Sequence, residues 1–225
     1  MANLNKGEKI KSIVLFLAII FFQLFTYPIF DSLGVQLSEN GMTLGVHIFL
    51  VLLAAFCFRK GLLEDFKALK GQFWTNLRAV VPIMVLGFFV EYVVAMFCAP
   101  IVSAQDAEVS QTLSEVVQFT IAAIFLAPIS EELIFRYGLF NTLYPRSRKA
   151  AYIVTAVLFG LIHVWEEIFA LDFAGMFAMA PRIVYGLYAA QIYEKSKNIC
   201  YPMLYHAMSN AITCSLQILL LLFGT

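Results

Sequence analysis

Residues 12–30 read SIVLFLAIIFFQLFTYPIF, nineteen residues without a charge. A helix rises about 1.5 Å per residue, so roughly 20 apolar residues cross the hydrocarbon of a bilayer. The stretch is too long for the apolar core of a signal peptide, about 7–15 residues, and no small-x-small cleavage site follows it. It reads as a retained membrane helix, and the rest of the chain repeats it. Further apolar runs lie near 42–58, 79–100, 114–135, 150–165, 168–190 and 199–222. The sequence therefore predicts an all-α polytopic membrane protein of about seven transmembrane helices, with six to eight as the range. No linker, repeat or low-complexity tract divides it, so residues 1–225 form a single integral-membrane domain.

Composition agrees with this. Of 225 residues, 61% are hydrophobic and 13% charged, and the mean hydropathy is +0.83. A soluble domain is usually about 45–50% apolar and about 25% charged. The 15 basic and 15 acidic residues cancel, which leaves no basic face for a nucleic acid. Cys57, Cys98, Cys200 and Cys214 are widely spaced, with no CxxC pair, and read as packing residues.

Charge placement tests the span count independently. Lys6, Lys9 and Lys11 precede the first run, and 31–41 holds no base. Arg59, Lys60, Lys67, Lys70 and Arg78 follow the second run, and 101–113 holds none. Arg136, Arg146, Arg148 and Lys149 follow the fourth, the turn at 165–167 holds none, and Lys195 and Lys197 follow the sixth. Fourteen of the 15 bases fall on one side, with only Arg182 inside a span. Because cytoplasmic loops collect Lys and Arg, the N-terminus is expected in the cytoplasm and the C-terminus outside. The protein is then a multi-pass protein of the cell membrane, with the lipid bilayer as its first partner. Between the second and third runs, Leu62, Leu63, Phe66 and Leu69 share a helical face, so Gly61 to Gln72 is expected along the inner membrane surface.

Function is sought where polarity is expensive. Glu91, Glu131, Glu132, Arg136 and Arg182 fall in or near spans. At about 2.5–3.5 kcal/mol each, five unpaired charges would cost on the order of 12–18 kcal/mol, as much as the whole stability of a typical protein, about 5–15 kcal/mol. They must be paired, neutralised or facing a wet cavity. Glu132 and Arg136 are four apart and share a helical face, acid first, the favourable order for an ion pair. Glu131 is turned about 100° away and is left for another partner, such as the water of a general-base reaction. The plainer alternative is that both glutamates serve Arg136 alone.

His163 lies in the fifth run, and His206 lies in the seventh with Asn210 one turn beyond. Counted from the cytoplasmic ends of their runs, His206 lies roughly 10 Å in and His163 roughly 20 Å in. Glu131 is at comparable depth, so these groups can meet at mid-membrane on the cytoplasmic side. His47 falls near the outer end of the second run, away from that depth, and reads as structural. Glu91 and Arg182 are expected to pair, the alternative being that Arg182 contacts substrate or the catalytic acids.

Glu131-Glu132-x-x-x-Arg136, Phe159-x-x-x-His163 and His206-x-x-x-Asn210, in that order over roughly 115–215, resemble the CPBP family of intramembrane glutamic endopeptidases. This family includes the type II CAAX prenyl endopeptidases and bacterial bacteriocin-processing and self-immunity (Abi) proteins. One departure is visible: the family usually has glycine directly after the arginine, whereas here Tyr137 precedes Gly138. The resemblance implies a metal-free intramembrane peptidase that needs no cofactor and acts on a peptide or a membrane-tethered protein. In it Glu131 would activate water with help from His163, and His206 and Asn210 would stabilise the oxyanion. Glu132 and Arg136 would hold the base in place.

Other readings compete. Glu131, His163 and His206 could form a His₂Glu zinc site, although no HExxH is present. A non-catalytic regulator or bacteriocin-immunity protein would instead bind another membrane protein. Transport predicts inverted repeats, which the sequence lacks.

Overall fold

The computed structural model describes residues 2–35, 38–99 and 113–223, with side chains for all of these but 113–114 and 216–223. The described residues are mostly helical, joined by short turns, with no strand among them. In chain order, α1 is Lys6–Ser32, α2 is Glu39–Cys98 and α3 runs over 113–143. Then come α4 at Arg148–Leu161, α5 at Trp165–Ala170, α6 at Met179–Ser196 and α7 at Cys200–Phe223.

Lys6–Ser32, Glu39–Cys98 and Glu115–Leu143 are long and apolar enough to cross a bilayer by length and composition. α1 and α2 turn Ile13, Val14, Leu17, Val85 and Phe89 outward, each at least 41% exposed. An apolar surface so extended suits lipid. The chain is an all-α polytopic membrane protein.

Four expectations about the elements are corrected. The second run ends at a kink at Phe58, as its bounds predict, but the amphipathic segment and the third run are one helix beyond it and not two elements; α2 spans both sides of the kink. It bends at Phe58, whose φ of −110° and ψ of 15° are not helical. Tyr137 explains the bend. Its ring packs on Phe58 at 4.9 Å between centroids, and its hydroxyl fills the space a Cβ on Gly61 would need. The residue that departs from the family pattern is thus the wedge beside which α2 turns. The fifth run ends early: α4 has 14 residues, and His163 sits in the turn beyond it. The sixth run is broken. Leu171 takes a left-handed φ of 54° after α5, and a 3₁₀ turn at Gly175–Ala178 leads into α6. Finally, Arg136 is not a loop base but is fully buried.

The helix ends with lysines and arginines are tied together. Asn198 Nδ2 donates to the Asp65 carbonyl at 2.7 Å, and the Ile199 N–H to the Asp65 carboxylate at 2.9 Å. Arg148 donates twice to Glu194 at 2.7 Å each, and the hydroxyls of Tyr144 and Tyr152 donate to the same carboxylate. The Arg148 guanidinium, joined by these hydroxyls, holds the Glu194 carboxyl down to about 2. Because its folded value lies below its ordinary 4.5, this contribution is complete above about pH 4.5 and fades as pH falls toward 2. Arg148 is 64% exposed, so the contribution is no more than about 1 kcal/mol. Glu194→Gln is expected to melt a few degrees below wild type at pH 7 and together with it near pH 2. Melting in detergent across that range checks this.

Candidate active site

The site is built on α3, which is not a uniform α-helix. It widens into π geometry at Ala122–Leu126, returns to α over Ala127–Glu132, and widens again at Leu133–Phe140. The first widening has a cause in the sequence. The Ala127 N–H bonds to the Ala122 carbonyl, so the next bond in that register would run from residue 128 to Ala123. Residue 128 is proline, with no N–H to give. The open Ala123 carbonyl accepts instead from Asn210 Nδ2 at 2.7 Å. That bond docks α7 against α3 one turn from His206.

Glu131 and Glu132 follow in the α segment and have different surroundings. Glu132 is fully buried, and its Oε1 accepts three bonds, from Arg136 Nη1 at 3.0 Å, the Tyr185 hydroxyl at 2.9 Å and His206 Nδ1 at 3.0 Å. Arg136 also donates to the Gly186 carbonyl at 3.3 Å and lies 4.6 Å from the centroid of the Phe159 ring. Gly186 is needed there, since a Cβ would sit 2.9 Å from the Ala156 Cα and push α6 off α4. The buried pair is thus held by α3, α4, α6 and α7 together. Glu131 is 6% exposed, and its Oε2 is buried with no hydrogen-bond partner. His206 Nε2 stands 3.9 Å from it, too far for a direct bond.

These contacts assign the imidazole protons, because a carbonyl or carboxylate oxygen can only accept. His206 donates from Nδ1 to Glu132, which turns Nε2 toward Glu131. His163 Nδ1 lies 2.7 Å from the Phe159 carbonyl and therefore carries its proton. The neutral ring then keeps a lone pair on Nε2. Phe159 separates the two imidazoles, 4.7 Å from His163 and 5.7 Å from His206 between centroids.

His163 opens on a cavity of about 700 Å³ between the C-terminal part of α2, the start of α6 and α7. Glu91, Arg182 and Ser209 also line it. The expected Glu91–Arg182 ion pair is not made within 4.0 Å among the described residues. Glu91 accepts from Ser209 at 3.2 Å instead. Arg182 still lies close enough for its charge to act on Glu91, Glu131 and His163.

His47 is placed differently from the sequence reading. Its Nδ1 lies 3.0 Å from the Ser130 hydroxyl, on the residue before Glu131. The Ser130 proton goes to the carbonyls of Leu126 and Ala127, so His47 donates to Ser130. A second cavity, of about 600 Å³, reaches His47 from between α1 and α2.

Of the six residues singled out from the sequence, Glu131, Glu132, Arg136 and His206 form one buried cluster, Asn210 docks on the Ala123 carbonyl one turn from it, and His163, exposed on the larger cavity, stands on the far side of the Phe159 ring. Sequence reasoning missed Tyr185, Ser130 and Ser209, whose types are too common in helices to stand out. Pro128 announces an unpaired acceptor one turn back, which in an α-helix would be Ile124; only the π register moves it to Ala123, so the sequence alone pointed one residue away.

Residues 113–212 match the family model of the Rce1-like proteins, described as type II CAAX prenyl endopeptidase Rce1-like. The likeness covers the motif-bearing segment, 100 of the 225 residues. The match spans all six site residues and belongs to the CPBP group. It supports an intramembrane peptidase of the CAAX-protease type. No curated protein and no solved structure is significantly similar to the chain.

Proposed function

We propose that this protein hydrolyses a peptide bond within the membrane by metal-free glutamate catalysis. One observation carries the reading. Of two adjacent buried carboxylates, Glu132 accepts from an arginine, a tyrosine and a histidine through Oε1 and has only its Oε2 unpartnered, while Glu131 accepts no hydrogen bond among the described residues and has His206 Nε2 3.9 Å from its unpartnered Oε2. Glu131 takes a proton from water while His163 Nε2 accepts a second hydrogen bond from the same water and orients it. The hydroxide adds to the peptide carbonyl carbon. The remaining N–H of Asn210, and His206 in the doubly protonated form in which Nε2 also carries a proton, donate to the oxygen that becomes negative, and fixed donors there are a large term in such reactions. Glu131 then returns its proton to the departing amine, giving one acid and one amine from peptide and water. Arg182, which makes no hydrogen bond among the described residues, offers donors to the main chain of the bound peptide.

The test is cleavage of membrane-tethered and prenylated peptides by the full protein in liposomes, with and without phenanthroline. Cleavage is expected to persist with chelator and to be lost in Glu131→Ala. Activity abolished by chelator and restored by zinc would replace the metal-free mechanism. Cleavage by neither protein, both folded, would leave the regulatory reading.

A further inference from the structure

The two ends of the helix bundle are chemically and sterically unlike. One end carries Lys6, Lys9 and Lys11, Arg59 and Lys60 at the bend of α2, Arg146, Arg148 and Lys149, and Lys195 and Lys197. The other carries Asp31, Glu39, Glu166, Glu167 and Asp172, and no Lys or Arg occurs in 12–58, 79–135, 150–181 or 198–225.

The basic end is closed. Leu4, Phe58, Tyr137, Tyr193, Ile199 and Tyr201 are each no more than 5% exposed and pack in one core. The Asp65 and Asn141 hydrogen bonds tie its helix ends together. Between that plug and the carboxylates, the rings of Tyr185 and Tyr205 stack at 5.1 Å and 3°.

Among the described residues, the acidic end holds two cavities. The cavity that holds His163 and Arg182 reaches Cys98 and Ala99, where α2 ends, and Ala178, just before α6 begins. The cavity that reaches His47 is bordered by Glu39, Trp165 and Glu166. The cavity beside the site thus opens toward the acidic end, where Arg182 on its wall is the one base near it among the described residues, not at the cytoplasmic depth inferred by counting residues along the runs.

We propose that the protein takes its substrate from the membrane face of the acidic loops, opposite its lysines and arginines. Since Lys and Arg collect in the cytoplasm, that face is extracytoplasmic. The substrate class, resting on the peptidase reading above, is then a peptide segment exposed outside the cytoplasm, on an exported peptide or a membrane-tethered protein.

The chain carries its own reporter. Cys98 lines the larger cavity and is partly exposed, and Lys195 is exposed at the basic end. The full-length protein with Cys57, Cys200 and Cys214 changed to alanine is expressed in bacterial cells. It is treated with a membrane-impermeant sulfonated maleimide before or after permeabilisation. A companion protein has Cys98 changed to alanine as well and carries Lys195→Cys. Cys98 is expected to label in intact cells to nearly its permeabilised level. The introduced cysteine is expected to label at least tenfold less in intact cells than in permeabilised ones. Cys98 labelled only after permeabilisation, or by neither route, overturns the proposal, as does labelling of the introduced cysteine from outside. Because labelling does not depend on turnover, correct labelling without peptide cleavage would count against the peptidase alone.

Discussion

Glu131→Gln is expected to slow peptide cleavage by about 10²–10⁴-fold, the usual contribution of a positioned general base, while leaving the protein folded. The amide has the shape of the carboxylate. The oxygen it replaces makes no hydrogen bond, so little native structure depends on its charge. Single-turnover cleavage in liposomes reads the rate, and melting in detergent reads the fold. Glu91→Gln serves as the comparison. Glu91 is bonded to Ser209 on the cavity wall and has no part in the proton transfer proposed above. A Glu131→Gln protein that cleaves at the wild-type rate would remove Glu131 from the mechanism.

Arg136→Met is expected to have the larger effect on stability. It leaves the Glu132 carboxylate, fully buried, without its counter-charge. Breaking one side of such a pair costs about 3–5 kcal/mol, which for a chain of this size lowers the melting temperature by roughly 10 °C. Replacing both partners by apolar residues is often neutral, so Glu132→Leu combined with Arg136→Met should recover most of the lost stability. The double variant should nevertheless remain inactive, because His206 Nδ1 has lost its acceptor and Nε2 its aim at Glu131. Melting and cleavage measured on the single and double variants separate the two roles. Equal loss of stability in both would mean that the pair is not balanced as described.

The sequence made the pair legible because Glu132 and Arg136 depend only on local helical geometry, and the ion pair forms as their spacing requires. The docking of His206 and Asn210 on α3 was legible in kind, since polar groups in apolar runs must find partners, whereas His163 lies exposed beyond the end of its helix. Their depth was not. Counting from the end of each run assumed straight helices of bilayer length, whereas α4 stops at Leu161 and the sixth run is broken by Leu171. The same assumption put His47 too far away. The Ser130 hydroxyl that brings it in is one polar group among many, and nothing in the spacing marks it. The break at Phe58 was legible, because the second run ends there before Arg59 and Lys60, but its packing partner Tyr137 on another helix was not. Charge alternation grouped Arg148 with Lys195 and Lys197, whose helix ends are joined through Glu194, but it counted the buried Arg136 among the loops.

The widened turns of α3 have a consequence for how the chain tolerates change. An ordinary membrane helix absorbs the loss of one residue by rotating its outer part about 100° against lipid. In α3, Pro128 and the open Ala123 carbonyl fix one phase, and the paired glutamates fix another within a few residues. Deleting a single residue from 122–126 would bring the helix back to a common period and so turn the anchor of Asn210 away from the carboxylates. The length of that short segment, more than the identity of its alanines and leucine, is what a lineage that keeps this centre has to preserve.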